Sequence, residues 1–92
     1  MSSIKDLEKQ SGILRIILFL DEHDKAVLSS IWPEANVPIN AGYSSVSKLK
    51  ELGLVSSTID ASSYPPKNLL SLTPKGKEVA AHLRMVENIL RR

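Results

Sequence analysis

The stretch from Ile39 to Val55, INAGYSSVSKLKELGLV, tolerates few folds. At roughly 100° per residue, the period of an α-helix, Ile39, Gly42, Val46, Leu49 and Leu52 gather on one side. Asn40, Ser44, Ser47 and Lys48 gather on the other. One face is therefore apolar, and the opposite face is small, polar and basic. Gly53 is suited to the left-handed conformation that ends helices, and Leu54 and Val55 follow at once. The pattern predicts a helix over 39–52 that passes directly into an apolar strand. Its apolar side must be covered by the rest of the chain.

The preceding residues offer that cover. Ser3 can cap a helix beginning at Ile4, with Asp6 in the first turn, where the helix dipole favours an acid. This helix is expected to run to Asp21 or Glu22, bent or divided at Gly12. From Ile13 to Leu20 only Arg15 interrupts the apolar run, which predicts a central post buried on most sides. Residues 1–12 form an N-terminal extension in which Ile4 and Leu7 need a surface of their own. Lys25 to Val27 reads as a very short strand. Leu28 to Trp32 reads as a short helix with Leu28, Ile31 and Trp32 facing inward and Trp32 plugging the core. Pro33 is expected to end it, because the residue before a proline is pushed out of the α region. Pro33 to Pro38 is then the turn between two helices.

Beyond the central helix, Leu54 to Ile59 is rich in β-branched and small residues, and Asp60 to Pro66 (DASSYPP) is turn chemistry throughout. Lys67 to Leu72 is a second strand with Leu70 and Leu72 on one face, so 54–72 reads as a hairpin. Thr73-Pro74 is a helix cap followed by proline at the first helical position. In the last helix, over 74–91, Val79, Leu83, Val86 and Leu90 step by four, three and four. That spacing makes a narrow seam suited to a partner helix, widened by Ala80, Met85 and Ile89.

Ninety-two residues, 42% of them hydrophobic, are read as one small domain over 1–92. A domain of this size buries a modest share of its surface, which favours dimerisation. The absence of cysteine excludes disulfides, thiolate metal sites and a thiol nucleophile. It suits a reducing compartment, and a cytoplasmic location is the expectation. The apolar run at Ile13–Leu20 is too short for a membrane span. Asp6, Glu8 and Asp21-Glu22 are wrong for a signal peptide. The formal net charge is only +2, but its distribution is uneven. Residues 1–38 carry four basic and six acidic side chains, whereas 39–77 carry five basic (Lys48, Lys50, Lys67, Lys75, Lys77) and two acidic (Glu51, Asp60). The positive excess lies on the half containing the polar-faced helix and the hairpin. No catalytic pattern appears: His23 and His82 are far apart, and there is no zinc-binding H-E-x-x-H, glycine-rich phosphate loop or nucleophile elbow. An enzyme, a metal site and a cofactor are not expected. His82, four residues after Glu78, reads as half of a surface pair.

At this point the chain resembles the winged-helix transcription regulators of the MarR, HxlR and ArsR groups of bacteria and archaea. KLKELGLV at 48–55 resembles the end of a recognition helix and the entry to a wing. LSLTPKGKEVAAHL at 70–83 resembles the returning wing strand and the start of the closing helix, and ILRIILFLDEHDKAVLSSI at 13–31 resembles the first two helices. The resemblance implies a mainly α, α+β winged helix-turn-helix: a three-helix core, a two- or three-stranded β-wing and a long C-terminal helix. It implies a homodimer that binds double-stranded DNA. Such families can hold a small-molecule effector at the dimer interface, but no residue here marks one.

On that reading the outward residues near the N-terminus of the 39–52 helix meet base edges. Asn40 can pair with adenine, or can instead be the helix cap. Ser44 and Ser47 can donate to phosphates or bases, or can simply be solvated. Tyr43 lies at the edge of the apolar face and either packs or touches the duplex. Lys48 points outward as the first phosphate contact. Lys67 and Tyr64, near the wing tip, can reach the backbone or minor groove. Lys75 and Lys77 stand in the first turn of the last helix, where the dipole disfavours cations and solvent screening is the simple compensation. Ile4, Leu7, Val79, Leu83, Val86 and Leu90 are the expected dimerisation residues. The families usually carry arginines or lysines along the wing, whereas here the first strand reads VSSTID. That scarcity supports the alternative, a winged-helix module that binds protein and not DNA.

Overall fold

Ile13, Ile16, Ile17 and Leu20 recur at helical spacing, and the fold packs around that stripe. In the computed structural model, which describes residues 3–8, 12–62 and 64–92, these four lie on α2 (Ile13–Glu22) and are almost fully buried. The helix is amphipathic, not buried on most sides as expected: Leu14 is 43% exposed, and Arg15 is exposed, with Nη1 donating to the carbonyl of Asn36 at 2.9 Å. Apolar residues outnumber the core-facing positions of the helix, so the surplus meets solvent.

Upstream, α1 (Ile4–Glu8) is a separate short helix. Its cap is reciprocal to the expected one: the Ser3 amide donates to Asp6 Oδ2 at 2.7 Å, and the Asp6 amide donates to the Ser3 carbonyl at 3.0 Å. Gly12, at φ 86°, precedes α2. The joint expected at Gly12 involves Lys9, Gln10 and Ser11, which lie outside the described residues, as do Met1, Ser2 and Ser63.

β1 (Ala26–Val27) leads into α3 (Leu28–Glu34). Pro33 lies inside this helix and does not end it. Trp32, 5% exposed, is held helical against the next helix, and that packing outweighs the local preference before proline. The stop comes at Asn36, with φ 56°. The Val37 amide donates to the Trp32 carbonyl at 2.9 Å and the Asn36 amide to that of Pro33 at 3.3 Å, a Schellman closure.

The next helix, α4 (Ile39–Glu51), ends by the same device. Gly53 has φ 75°, the Leu54 amide donates to the Leu49 carbonyl at 3.0 Å, and the Gly53 amide to that of Lys50 at 3.0 Å. β2 (Val55–Asp60) and β3 (Lys67–Leu72) then pair antiparallel, from Val55 opposite Leu72 to Asp60 opposite Lys67. β1 joins the other edge of β3, with Ala26 opposite Leu70, giving a three-stranded sheet in the order β1-β3-β2. Alternation puts Leu70 and Leu72 in the core.

α5 (Pro74–Leu90) closes the fold. Thr73 Oγ1 accepts from the Gly76 amide at 3.0 Å and donates to the Gly53 carbonyl at 2.6 Å, so one hydroxyl joins the start of α5 to the end of α4. Farther along, Arg84 ties α5 to α2. Its Nε donates to Asp21 Oδ2 at 3.1 Å, and Nη2 donates to Glu22 Oε1 at 3.0 Å and to the Leu18 carbonyl at 3.1 Å. Nη1 bonds Glu87 Oε1 at 3.0 Å. The bond to Asp21 chiefly raises the guanidinium pKa above its ordinary value; burial works against this, and Glu87 and Glu22 add to it. The architecture is a mainly helical α+β winged helix. Among the described residues, no helix is long and apolar enough to cross a membrane.

Candidate nucleic-acid interface

The orientation of α4 follows from what it buries. Gly42, Ser45, Val46 and Leu49 face the core. Ile39, expected with them, is 59% exposed, because the helix begins at the molecular edge before α3 can cover it. Gly42 is the closest approach: a Cβ built there would lie 2.5 Å from Trp32 Cε3. The absent side chain lets α4 lie directly on the indole, and this contact sets the angle at which the opposite face is presented.

That opposite face carries Asn40, Tyr43, Ser44 and Ser47, all exposed. Asn40 is not the helix cap: Pro38 occupies that position and supplies no side-chain bond. Asn40 stands one residue into the helix, with its amide group in solvent. Tyr43 is 53% exposed, its ring centroid 5.2 Å from that of Trp32. It therefore both packs on the core and offers an edge outward. Tyr43, Ser44, Ser47, Lys48 and Glu51 line a shallow polar depression along α4. A second hollow is shared by Tyr43 with Pro65, Pro66, Lys67 and Asn68 of the hairpin, so α4 and the wing near its tip face one another. Tyr64, at the wing tip, is 99% exposed.

The lysines are disposed differently from the expectation. Lys48 does not point into open solvent: its Nζ lies 3.4 Å from Asp6 Oδ1 and 3.5 Å from Glu51 Oε1. The Glu51 contact follows from i,i+3 spacing; the one from Asp6 crosses between helices and leaves no local trace. Lys75 does not rely on solvent to offset the dipole. Its Nζ reaches back to donate to the Leu52 carbonyl at 3.1 Å, satisfying a C-terminal carbonyl of α4. Lys67 is exposed and stands opposite Asp60 across the hairpin. Lys50 and Lys77 are exposed.

The expected dimerisation set divides. Leu7, Val79 and Leu83 are partly buried against the chain's own core. Ile4, Val86 and Leu90 stay 71%, 51% and 78% exposed, and Met85 and Ile89 join them at 59% and 56%.

No family model and no curated protein matches the sequence. Solved structures do. A transcriptional regulator homologue from Pyrococcus horikoshii OT3 superposes with a TM-score of 0.70 at 26% identity, over 99% of this chain and 96% of that one. A point mutant of ZitR from Lactococcus lactis superposes with a TM-score of 0.74 at 26% identity, over 88% of this chain and 55% of that one. The chain has the winged-helix fold of these regulators. A MarR-family transcriptional regulator from Silicibacter pomeroyi shares the fold, with a TM-score of 0.73 at 21% identity over 87% of this chain and 53% of its own. The chain thus spans about half the length of two of these structures and nearly all of the Pyrococcus one. Among its described residues no group of three or more His, Cys, Asp or Glu side chains could hold a metal ion.

Proposed function

We propose that the protein is a cytoplasmic transcription regulator that binds double-stranded DNA as a homodimer, with α4 in the major groove and the wing beside it. One observation carries the reading: Asn40, Tyr43, Ser44 and Ser47 form an exposed polar row on α4, and Tyr43 shares a hollow with the wing near its tip. Asn40 has the donor–acceptor amide that pairs with adenine. The serines and Tyr43 supply short hydrogen-bonding contacts, and Lys67 and Tyr64 reach the backbone from the wing. Two protomers joined through the exposed end of α5 would place their α4 helices about 34 Å apart, one turn of DNA.

The test is a salt titration of binding to a mixed-sequence duplex and to selected sites. Wild-type affinity should fall steeply with salt, and Lys67→Ala should lower the slope by about 0.9. Asn40→Ala should leave the slope unchanged and cost about 1–3 kcal/mol of discrimination at a single base pair. A wild type that binds duplex no better than an unrelated polyanion at low salt would overturn the reading in favour of a protein-binding module.

A further inference from the structure

Asp6 belongs to the N-terminal extension, yet it lies against the helix assigned to DNA. Its Oδ1 is 3.4 Å from Lys48 Nζ, and the two side chains are only 17% and 16% exposed. Its Oδ2 accepts from the Ser3 amide at 2.7 Å, which fixes the carboxylate in place. α1 reaches this position because Leu7 packs on the core and, with Ser3 and Ile4, borders an apolar hollow floored by Leu52, Leu54 and Val79. The same hollow includes the residues that end α4 and begin the wing. No residue of α1 is fully buried, and Ile4 is 71% exposed. The helix is held firmly enough to place its acid and shallowly enough to lift away.

We propose that α1 is a built-in competitor of DNA: the Asp6 carboxylate occupies Lys48 in the position a backbone phosphate would take. A carboxylate and a phosphate oxygen offer an ammonium group equivalent charge-assisted bonds, so one displaces the other. Glu51, the other partner of Lys48, is 71% exposed and holds it more loosely. The inference rests on the reading of α4 as the DNA-facing helix. It adds that duplex binding opens the Asp6–Lys48 pair and that affinity is held below what the α4 face alone would give.

The experiment is duplex binding by the full chain carrying Asp6→Asn, whose amide oxygen can still accept from the Ser3 amide. Affinity at low salt should rise about three- to tenfold, and the salt slope should steepen by about 0.9, the share of one additional phosphate. Glu8→Gln, the same charge change at an exposed position of the same helix, should give a much smaller gain. In a Lys48→Ala background the gain from Asp6→Asn should vanish, since the pair no longer exists. If wild type binds and Asp6→Asn changes nothing, if Glu8→Gln matches it, or if the gain survives Lys48→Ala, the competition is wrong and the DNA reading stands. If wild type and every variant fail to bind duplex at low salt, the DNA reading falls and the competition falls with it.

Discussion

At the scale of single residues, two glycines decide how closely the elements approach. A Cβ on Gly76 would lie 2.0 Å from the Leu54 carbonyl oxygen, and one on Gly42 would lie 2.5 Å from Trp32 Cε3. The Gly42 contact matters most for function, because Trp32 is a rigid ring and is itself 5% exposed. Neither partner can yield without moving a helix. Gly42→Ala should therefore cost about 1–3 kcal/mol, the usual penalty for overpacking, read as a lower urea midpoint with an unchanged slope. It should also tilt α4, so duplex affinity should fall by more than the loss of folded protein explains. Asn36 is the other residue whose backbone decides an element, and its φ of 56° suits glycine better. Asn36→Gly should leave stability equal or slightly higher, whereas Asn36→Ala should lower it by about 1 kcal/mol, both measured by thermal melting.

At the scale of elements, the helices and the hairpin were legible because each carries local punctuation. Thr73-Pro74 opens α5, Gly53 closes α4, and Leu70 and Leu72 alternate into the core. The end of α3 is not legible in the sequence because Pro33 is a strong local signal and Asn36 a weak one, while the force that extends the helix, Trp32 on Gly42, comes from another element. The outward row on α4 was also legible from its period. The true environment of Lys48 was not, because Asp6 lies 42 positions away in sequence and no spacing rule joins them. The role of Arg84 is hidden for the same reason: its partners Asp21 and Glu22 sit on α2. Arg84→Met should loosen α5 from α2, at about 1–3 kcal/mol for a bonded charge whose partners are left behind, seen as faster amide exchange in the second half of α5. Its pH dependence has a definite sign. A cation whose folded pKa is raised contributes stability that is complete below the unfolded value and is lost only as pH climbs through the folded one. For Arg84 that window lies above the ordinary arginine range. The difference in stability between wild type and Arg84→Met arising from its own titration should therefore be flat from about pH 6 to 9.

For the whole molecule, the uneven charge counted along the sequence overstates the field that a duplex would meet. Lys48 is engaged by Asp6 and Glu51, Lys75 by the Leu52 carbonyl, and Lys67 stands opposite Asp60. A weakly cationic protomer gains most from binding twice, because joining two sites turns the second contact into an intramolecular one. In the proposed dimer the means of joining them is the end of α5 beyond Arg84, where Met85, Val86, Ile89 and Leu90 are all more than half exposed. Val79 and Leu83, earlier on the same helix, already pack on the chain's own core. The outward apolar surface of α5 is thus confined to its last turns, and a charge placed there should break the proposed dimer without disturbing the fold. Ile89→Asp should sediment as a monomer at concentrations where wild type is a dimer, with an unchanged far-ultraviolet circular dichroism spectrum. It should still bind a single half-site as wild type does, but should lose the added affinity for two half-sites spaced about 34 Å apart. Equal affinity of the variant for one and two half-sites, beside a wild type that prefers two, would locate cooperativity in this surface. A variant that remains dimeric would place the interface elsewhere, with exposed Ile4 on α1 the next residue to change.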